Sequence, residues 1–410
     1  MRPRAALLVA ALTWACGGES RSTIADVPTA ATTGAGAPPT STRAGVDMPQ
    51  DKRACLRDAA PLPAAERAVA RALCSERVAL GVPGALVAVA RDGEVVLRFA
   101  DGLRCRGRDD RVDDDTRFRI GSLTKMLTAA TVYAHVEAGT LELDAPLGRA
   151  AARELGVSER IAGATLRQLL DHRAGLPEIT PRADMAALAP AARLHALVGE
   201  PTEPANRSWR YSNGDYVLVG ALLQARSHGH YVDALRTHVL APLAMAHTEI
   251  HVDPHGDVAC GHVPGDDGPE AVDVVADFER FAFGLHETEP AGAVISTADD
   301  LLRFAAALSD RPGGSRPAWA TAMLAAVREH AGATGRGDAR YAAGLERHGD
   351  GDAMVLRHDG NTGDFAASLV WRPSDGAAVV VLANAGVVLR ATLAAAMVRA
   401  GIDPQHTTRE

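Results

Sequence analysis

Apolar residues follow a helical spacing through the middle of this chain and form strand-like runs towards its two ends. An alanine-rich segment from Pro61 to Ala79 predicts a helix, broken by Gly81-Val-Pro-Gly84. Ala85 to Ala90 is a short apolar run, Arg91-Asp-Gly93 is turn chemistry, and Glu94 to Phe99 alternates, so a pair of strands is expected. A further helix is predicted from Ser122 to about Ala138, ended by Gly139. From Leu141 to about Glu289 the pattern is mostly helical, with loops rich in Pro and Gly and one helix over Asp215 to Leu223. Ser296 or Thr297 is placed to cap a helix over Leu301 to Leu308. Strands return at Arg340 to Leu345, Ala353 to His358, Phe365 to Trp371 and Ala377 to Ala383, and Leu389 to Ala400 closes the chain as a helix. Strands at both ends around a helical middle predict an α/β (α+β) fold. One antiparallel sheet is built from both termini and flanked by helices, with an all-helical insertion over about 141–289.

The N-terminus departs from this pattern. Met1-Arg-Pro-Arg4 is a positive n-region, and Ala5 to Ala15 is an apolar stretch of signal-peptide length, too short to span a bilayer. Thr13-Trp-Ala-Cys16 resembles the lipobox of a bacterial lipoprotein signal, with Thr13 and Trp14 departing from the usual residues, and marks Cys16 for lipidation. The alternative is an ordinary cleaved signal with a small-residue site near Ala15. Residues 17–55, rich in Thr, Ala, Gly, Pro and Ser, are expected to form a disordered tether ahead of a folded domain over 60–400. The chain is expected to be exported, either held by a lipid anchor at the periplasmic face of a bacterial membrane or secreted.

With 410 residues, 47% hydrophobic and 23% charged, the chain is long enough for one large catalytic unit or two modest domains. A formal net charge of −8 and the lack of basic runs exclude a general nucleic-acid binder. Setting Cys16 aside leaves Cys55, Cys74, Cys105 and Cys260, an even number in a chain bound for an oxidising compartment. Three pairings are open, Cys55 with Cys74 being the local one. His251, Asp253, His255, Asp257, Cys260 and His262 cluster in sequence, but their spacing fits no familiar zinc motif and reads as a polar surface loop. No metal or cofactor is expected.

Candidate chemistry starts at Ser122-Leu-Thr-Lys125, where a serine and a lysine three apart share one helix face. A serine hydroxyl becomes a useful nucleophile once a neighbouring base takes its proton. Tyr211-Ser-Asn213 adds a phenol and an amide that can face one pocket. His358-Asp-Gly360, bridging two late strands, puts a polar side chain beside a backbone that can lend an N–H to an oxyanion.

Taken in this order, Ser-x-x-Lys, Tyr-x-Asn and His-x-Gly resemble the motifs of the serine β-lactamase-related family. That family contains class C β-lactamases, low-molecular-mass penicillin-binding proteins, D-aminopeptidases and family VIII esterases. The resemblance spans about residues 75–400 and extends to Gly81-Val-Pro-Gly84, Leu169-Leu-Asp-His-Arg-Ala-Gly-Leu176, Pro242-Leu-Ala-Met245 and Ala291-Gly-Ala-Val-Ile-Ser-Thr-Ala-Asp-Asp300. It implies an antiparallel sheet covered by helices plus a helical region, and an acyl-enzyme on Ser122. Lys125 would accept the serine proton or hold Tyr211 as phenolate, and Tyr211 would protonate the leaving group and then activate water. Asn213 would orient Lys125 and substrate, and the backbone N–H groups of Ser122 and Asn361 would form the oxyanion hole.

His358 stands where many members carry the lysine of Lys-Thr-Gly; a histidine is mostly neutral near pH 7 and gives a substrate carboxylate no fixed partner. Esters or D-amino-acid peptides and amides are therefore the expected substrates, cell-wall-derived peptides among them. A β-lactamase or D-Ala-D-Ala carboxypeptidase is the alternative, and a slow-acylating penicillin-binding sensor the second.

Overall fold

The computed structural model describes residues 48–179, 183–227, 229–250, 257–265, 268–272, 286–310 and 316–406. Two N-terminal helices, α1 (Met48–Asp58) and α2 (Ala64–Ala79), lead into the strand pair β1 (Gly84–Arg91) and β2 (Glu94–Gly102). Helix α3 (Thr124–Glu137) opens the region of helices and loops, which includes α4 (Asn213–Ser227) and leads to α5 (Ala298–Ala307) and α6 (Ala318–His330). Strands β3 (Gly332–Ala333), β4 (Arg340–Ala342), β5 (Leu345–His348), β6 (Val355–Asn361), β7 (Ala366–Arg372) and β8 (Ala377–Ala383) follow, and α7 (Arg390–Ala400) comes last. The sheet has eight strands in the order β2-β1-β8-β7-β6-β5-β4-β3, every neighbouring pair antiparallel.

The two ends of the chain meet at its centre. Ala85 pairs with Ala383 and Ala90 with Ala378, and the Asn384 side chain accepts from the Gly84 N–H at 2.7 Å. Side chains alternate across the pleat. Val87, Val89, Val379 and Val381 pack in one core with residues of α1, α2 and α7, including Leu73 and Met397. Leu86, Ala88, Val380 and Leu382 face a second core shared with α3, α5 and α6. The first turn of α7 has no side-chain cap of its own; the Glu76 carboxylate of α2 accepts from the Ala391 and Thr392 N–H groups at 2.9 and 2.8 Å. A carboxylate there satisfies otherwise unpaired donors and complements the helix dipole.

Several expectations change. The signal segment and Cys16 lie outside the described residues, but 48–55, expected within the tether, is helical. That helix is joined to α2 by a Cys55–Cys74 disulfide, and Cys105 pairs with Cys260. The insertion is not wholly helical: Gly261–Val263 and Glu270–Val272 form a hairpin within it. The single strand expected over Arg340 to Leu345 is two, folded back at Ala343 and Gly344, both at positive φ. Thr297, rather than Ser296, caps α5 by accepting from the Asp300 N–H.

Candidate active site

Phe118–Arg119 pairs antiparallel with Ile295–Ser296, which fixes the approach to the serine. The chain then turns through Gly121, at φ 51°, into a 3-10 turn over Gly121–Leu123 that runs on into α3. An added Cβ on Gly121 would lie 2.9 Å from the Asn361 nitrogen. One on Gly360 would lie 1.9 Å from the Ile120 carbonyl oxygen and 3.0 Å from the Ser122 nitrogen. Only side-chain-free residues let the end of β6 rest on this turn. Backbone contact brings the Ser122 and Asn361 N–H groups into one neighbourhood, the arrangement an oxyanion site requires. The Asn361 side chain points elsewhere, donating to the Gly386 carbonyl and accepting from the Gly363 N–H.

Lys125 is fully buried, and its Nζ donates to Ser122 Oγ at 3.1 Å, to Asn213 Oδ1 at 2.6 Å and to the Ala291 carbonyl at 2.7 Å. Those are three acceptors for the three hydrogens of an ammonium. The Tyr211 hydroxyl donates to the same Ser122 Oγ at 2.7 Å, and Lys125 Nζ lies 4.9 Å from the centre of the Tyr211 ring. Asn213 opens α4, and its backbone N–H and its Nδ2 both donate to the Glu178 carboxylate, each at 2.6 Å.

An aromatic bed supports Tyr211. The His172 ring lies 4.5 Å from it, centre to centre, and 5.0 Å from Tyr341. His172 pairs through Nδ1 with Asp215 Oδ2 at 2.9 Å, both side chains fully buried. Burial pushes the Asp215 carboxyl well up and the His172 imidazole well down, the positive charge of Lys125 adding to the latter.

His358 points from β6 towards this bed. Its Nδ1 donates to the Asp359 carbonyl at 2.7 Å, so its Nε2 is the acceptor for the Tyr341 hydroxyl at 3.1 Å. Burial first, then the charge of Lys125, brings its pKa down to about 4. It is thus neutral at pH 7, more firmly than its residue type alone implies.

All seven residues expected at the site converge. Ser122, Lys125, Tyr211 and Asn213 share one hydrogen-bonded network, Gly360 and Asn361 lie against the serine turn, and His358 sits deeper, bonded to Tyr341. Sequence reading missed Glu178, the Ala291 carbonyl, Asp215 and Tyr341 as partners of the site. Ala291 and His172 fell inside motifs that carried the resemblance, which was the available signal; Glu178 left none.

The metal-ligand cluster does not assemble from the members described here. Cys260 is in a disulfide, and both ring nitrogens of His262 are engaged, by the Asn384 carbonyl and the Arg106 N–H. His251, Asp253 and His255 lie outside the described residues.

A family model described as Beta-lactamase matches residues 70–401. Penicillin-binding protein 4 of Amycolatopsis lactamdurans is 29% identical over 333 residues, covering 75% of this chain and 82% of that protein. Esterase EstB of Burkholderia gladioli is 31% identical over 259 residues, covering 58% of this chain and 59% of the esterase, so the match spans less than two thirds of that relative. Among solved structures, that of SurE superposes with a TM-score of 0.66 at 28% identity, covering 86% of this chain and 77% of SurE. D-alanine carboxypeptidase AmpC from Burkholderia cenocepacia, at 23% identity and a TM-score of 0.65 over 84% of this chain and 98% of its own, shares the fold.

Proposed function

Because the chain belongs to the beta-lactamase family of serine hydrolases, we propose that it cleaves esters, or peptides and amides of D-amino acids, through an acyl-enzyme on Ser122. The observation that carries this reading is the approach of a phenol and an amine to one hydroxyl: Tyr211 and Lys125 both hydrogen-bond Ser122 Oγ. Ser122 Oγ attacks the substrate carbonyl carbon once the Lys125–Tyr211 pair has given up one proton, which leaves Lys125 as the ammonium and Tyr211 as the phenolate that takes the serine proton. The oxyanion is held by the Ser122 and Asn361 N–H groups. Tyr211 returns the proton to the departing alkoxide or amine. Water then attacks the acyl carbon, gives its proton to Tyr211, and Ser122 leaves as the hydroxyl.

The neutral His358 supports esters and uncharged or amine-bearing acyl groups over substrates that must anchor a carboxylate. Short-chain p-nitrophenyl esters should therefore be turned over faster than nitrocefin by a clear margin, with Ser122→Ala inactive on both. Nitrocefin turnover matching the esters would favour the β-lactamase or carboxypeptidase reading. A fluorescent penicillin that forms a stable adduct by intact mass, with no turnover of any substrate, would favour the sensor. Export, with or without a lipid anchor on Cys16, is proposed from the leader and is supported by the two disulfides.

A further inference from the structure

We infer that Glu178 is a positioning residue that sets which way round the Asn213 amide sits and so gives Lys125 its acceptor; this rests on the acyl-enzyme reading above. An amide has two ends of similar shape and opposite hydrogen-bonding character. Asn213 is buried, with 7% of its surface exposed, so neither end can turn to water for a partner. One end faces Lys125 Nζ, which only donates, at 2.6 Å. The other faces a Glu178 oxygen, which as a carboxylate only accepts, also at 2.6 Å. The second Glu178 oxygen takes the Asn213 backbone N–H and fixes the first residue of α4. With an acceptor-only group on one side and a donor-only group on the other, a single amide orientation satisfies both. Glu178 lies at the rim and is exposed as a residue, yet both its oxygens are turned onto Asn213. Its effect on Ser122 is transmitted through Asn213 and Lys125.

This chain of donors and acceptors makes a pairwise prediction. In Glu178→Gln the introduced amide accepts one Asn213 N–H and presents its NH2 to the other. If Asn213 flips to meet that NH2, its own Nδ2 then faces the Lys125 ammonium. Either way two donors confront each other. In the double variant Glu178→Gln/Asn213→Asp every pairing is restored. The NH2 of the introduced glutamine donates to the introduced aspartate, that aspartate accepts from Lys125, and the glutamine carbonyl oxygen accepts the backbone N–H at position 213.

The test is the rate of Ser122 phosphonylation by a fluorophosphonate, read by intact mass, beside kcat and KM on p-nitrophenyl butyrate. Glu178→Gln should lower the labelling rate and kcat by about tenfold to a hundredfold, with KM within about twofold. Asn213→Asp alone should lose activity, and the double variant should recover at least about tenfold over the worse single variant. A parent labelled at Ser122 with Glu178→Gln equally fast, or a double variant that merely multiplies the two losses, overturns the assignment of Glu178 alone. A parent that is not labelled at Ser122 overturns the acyl-enzyme reading and the role of Glu178 with it.

Discussion

The Tyr211 hydroxyl lies 2.7 Å from Ser122 Oγ, although eighty-nine positions separate the two in the chain. The His172 ring packs against the Tyr211 ring, 4.5 Å away. Removing the phenolic oxygen should spare that packing and remove proton transfer. Tyr211→Phe is expected to lower kcat on a p-nitrophenyl ester by about 100- to 10,000-fold, with the thermal midpoint unchanged within a few degrees. Near-normal turnover in that variant would take Tyr211 out of the chemistry.

His358 makes stability depend on pH in a stated direction. Its pKa is about 4 in the folded protein, lowered by burial and by Lys125 against the pull of the Asp359 carbonyl, Asp359 and Glu346, and is ordinarily about 6.5 in an unfolded chain. Between those values the unfolded chain binds more protons, so stability is full above pH 6.5 and falls as the pH is lowered towards 4. The expected contribution is about 1–3 kcal/mol. Urea denaturation at about pH 7 and about pH 5 should show a larger drop for the parent than for His358→Gln. Equal drops would mean that His358 does not titrate on unfolding in this window.

Gly360 tests the contact between β6 and the serine turn. In Gly360→Ala the new methyl would meet the Ile120 carbonyl at 1.9 Å, so the two backbones must part. That moves the Asn361 N–H away from the Ser122 N–H. A loss of about 100- to 1,000-fold in kcat is expected, the scale of losing an oxyanion donor, with the far-UV spectrum retained.

The two disulfides should contribute unequally. Cys105–Cys260 joins residues 155 apart, and Cys55–Cys74 joins residues 19 apart. Loop-closure entropy favours the folded state by about 5 kcal/mol for the former and about 3 kcal/mol for the latter. Cys105→Ser/Cys260→Ser should lower the thermal midpoint further than Cys55→Ser/Cys74→Ser. The reverse ranking would point to the α1–α2 unit as the more critical staple.

Much of this site was legible because its chemistry is local in type even where it is distant in sequence. Ser122 and Lys125 announce themselves by helical spacing, and Tyr211-Ser-Asn213 and His358-Asp-Gly360 follow in order. The long apolar run Ala377–Ala383 is a strand at its expected bounds. What escaped had no pattern to show. The strands Gly261–Val263 and Glu270–Val272 are three residues each, too short for an alternation to stand out. Met48–Asp58 is polar enough to read as a tether, but the Cys55–Cys74 bond joins it to α2. The Ala291 carbonyl is backbone, which any residue would supply, and Glu178 acts through two hydrogen bonds to a residue 35 positions away.

The seating of Gly360 on the serine turn has a temporal consequence. A ribosome releases the Ser122 segment long before it releases Gly360, and a polypeptide cut short ahead of Val355 lacks the strand that rests against that serine. Contacts of such long range form late and slowly. The newborn chain therefore cannot bring the Ser122 and Asn361 N–H groups together until its C-terminal strands have emerged, and the serine turn gains that neighbour last.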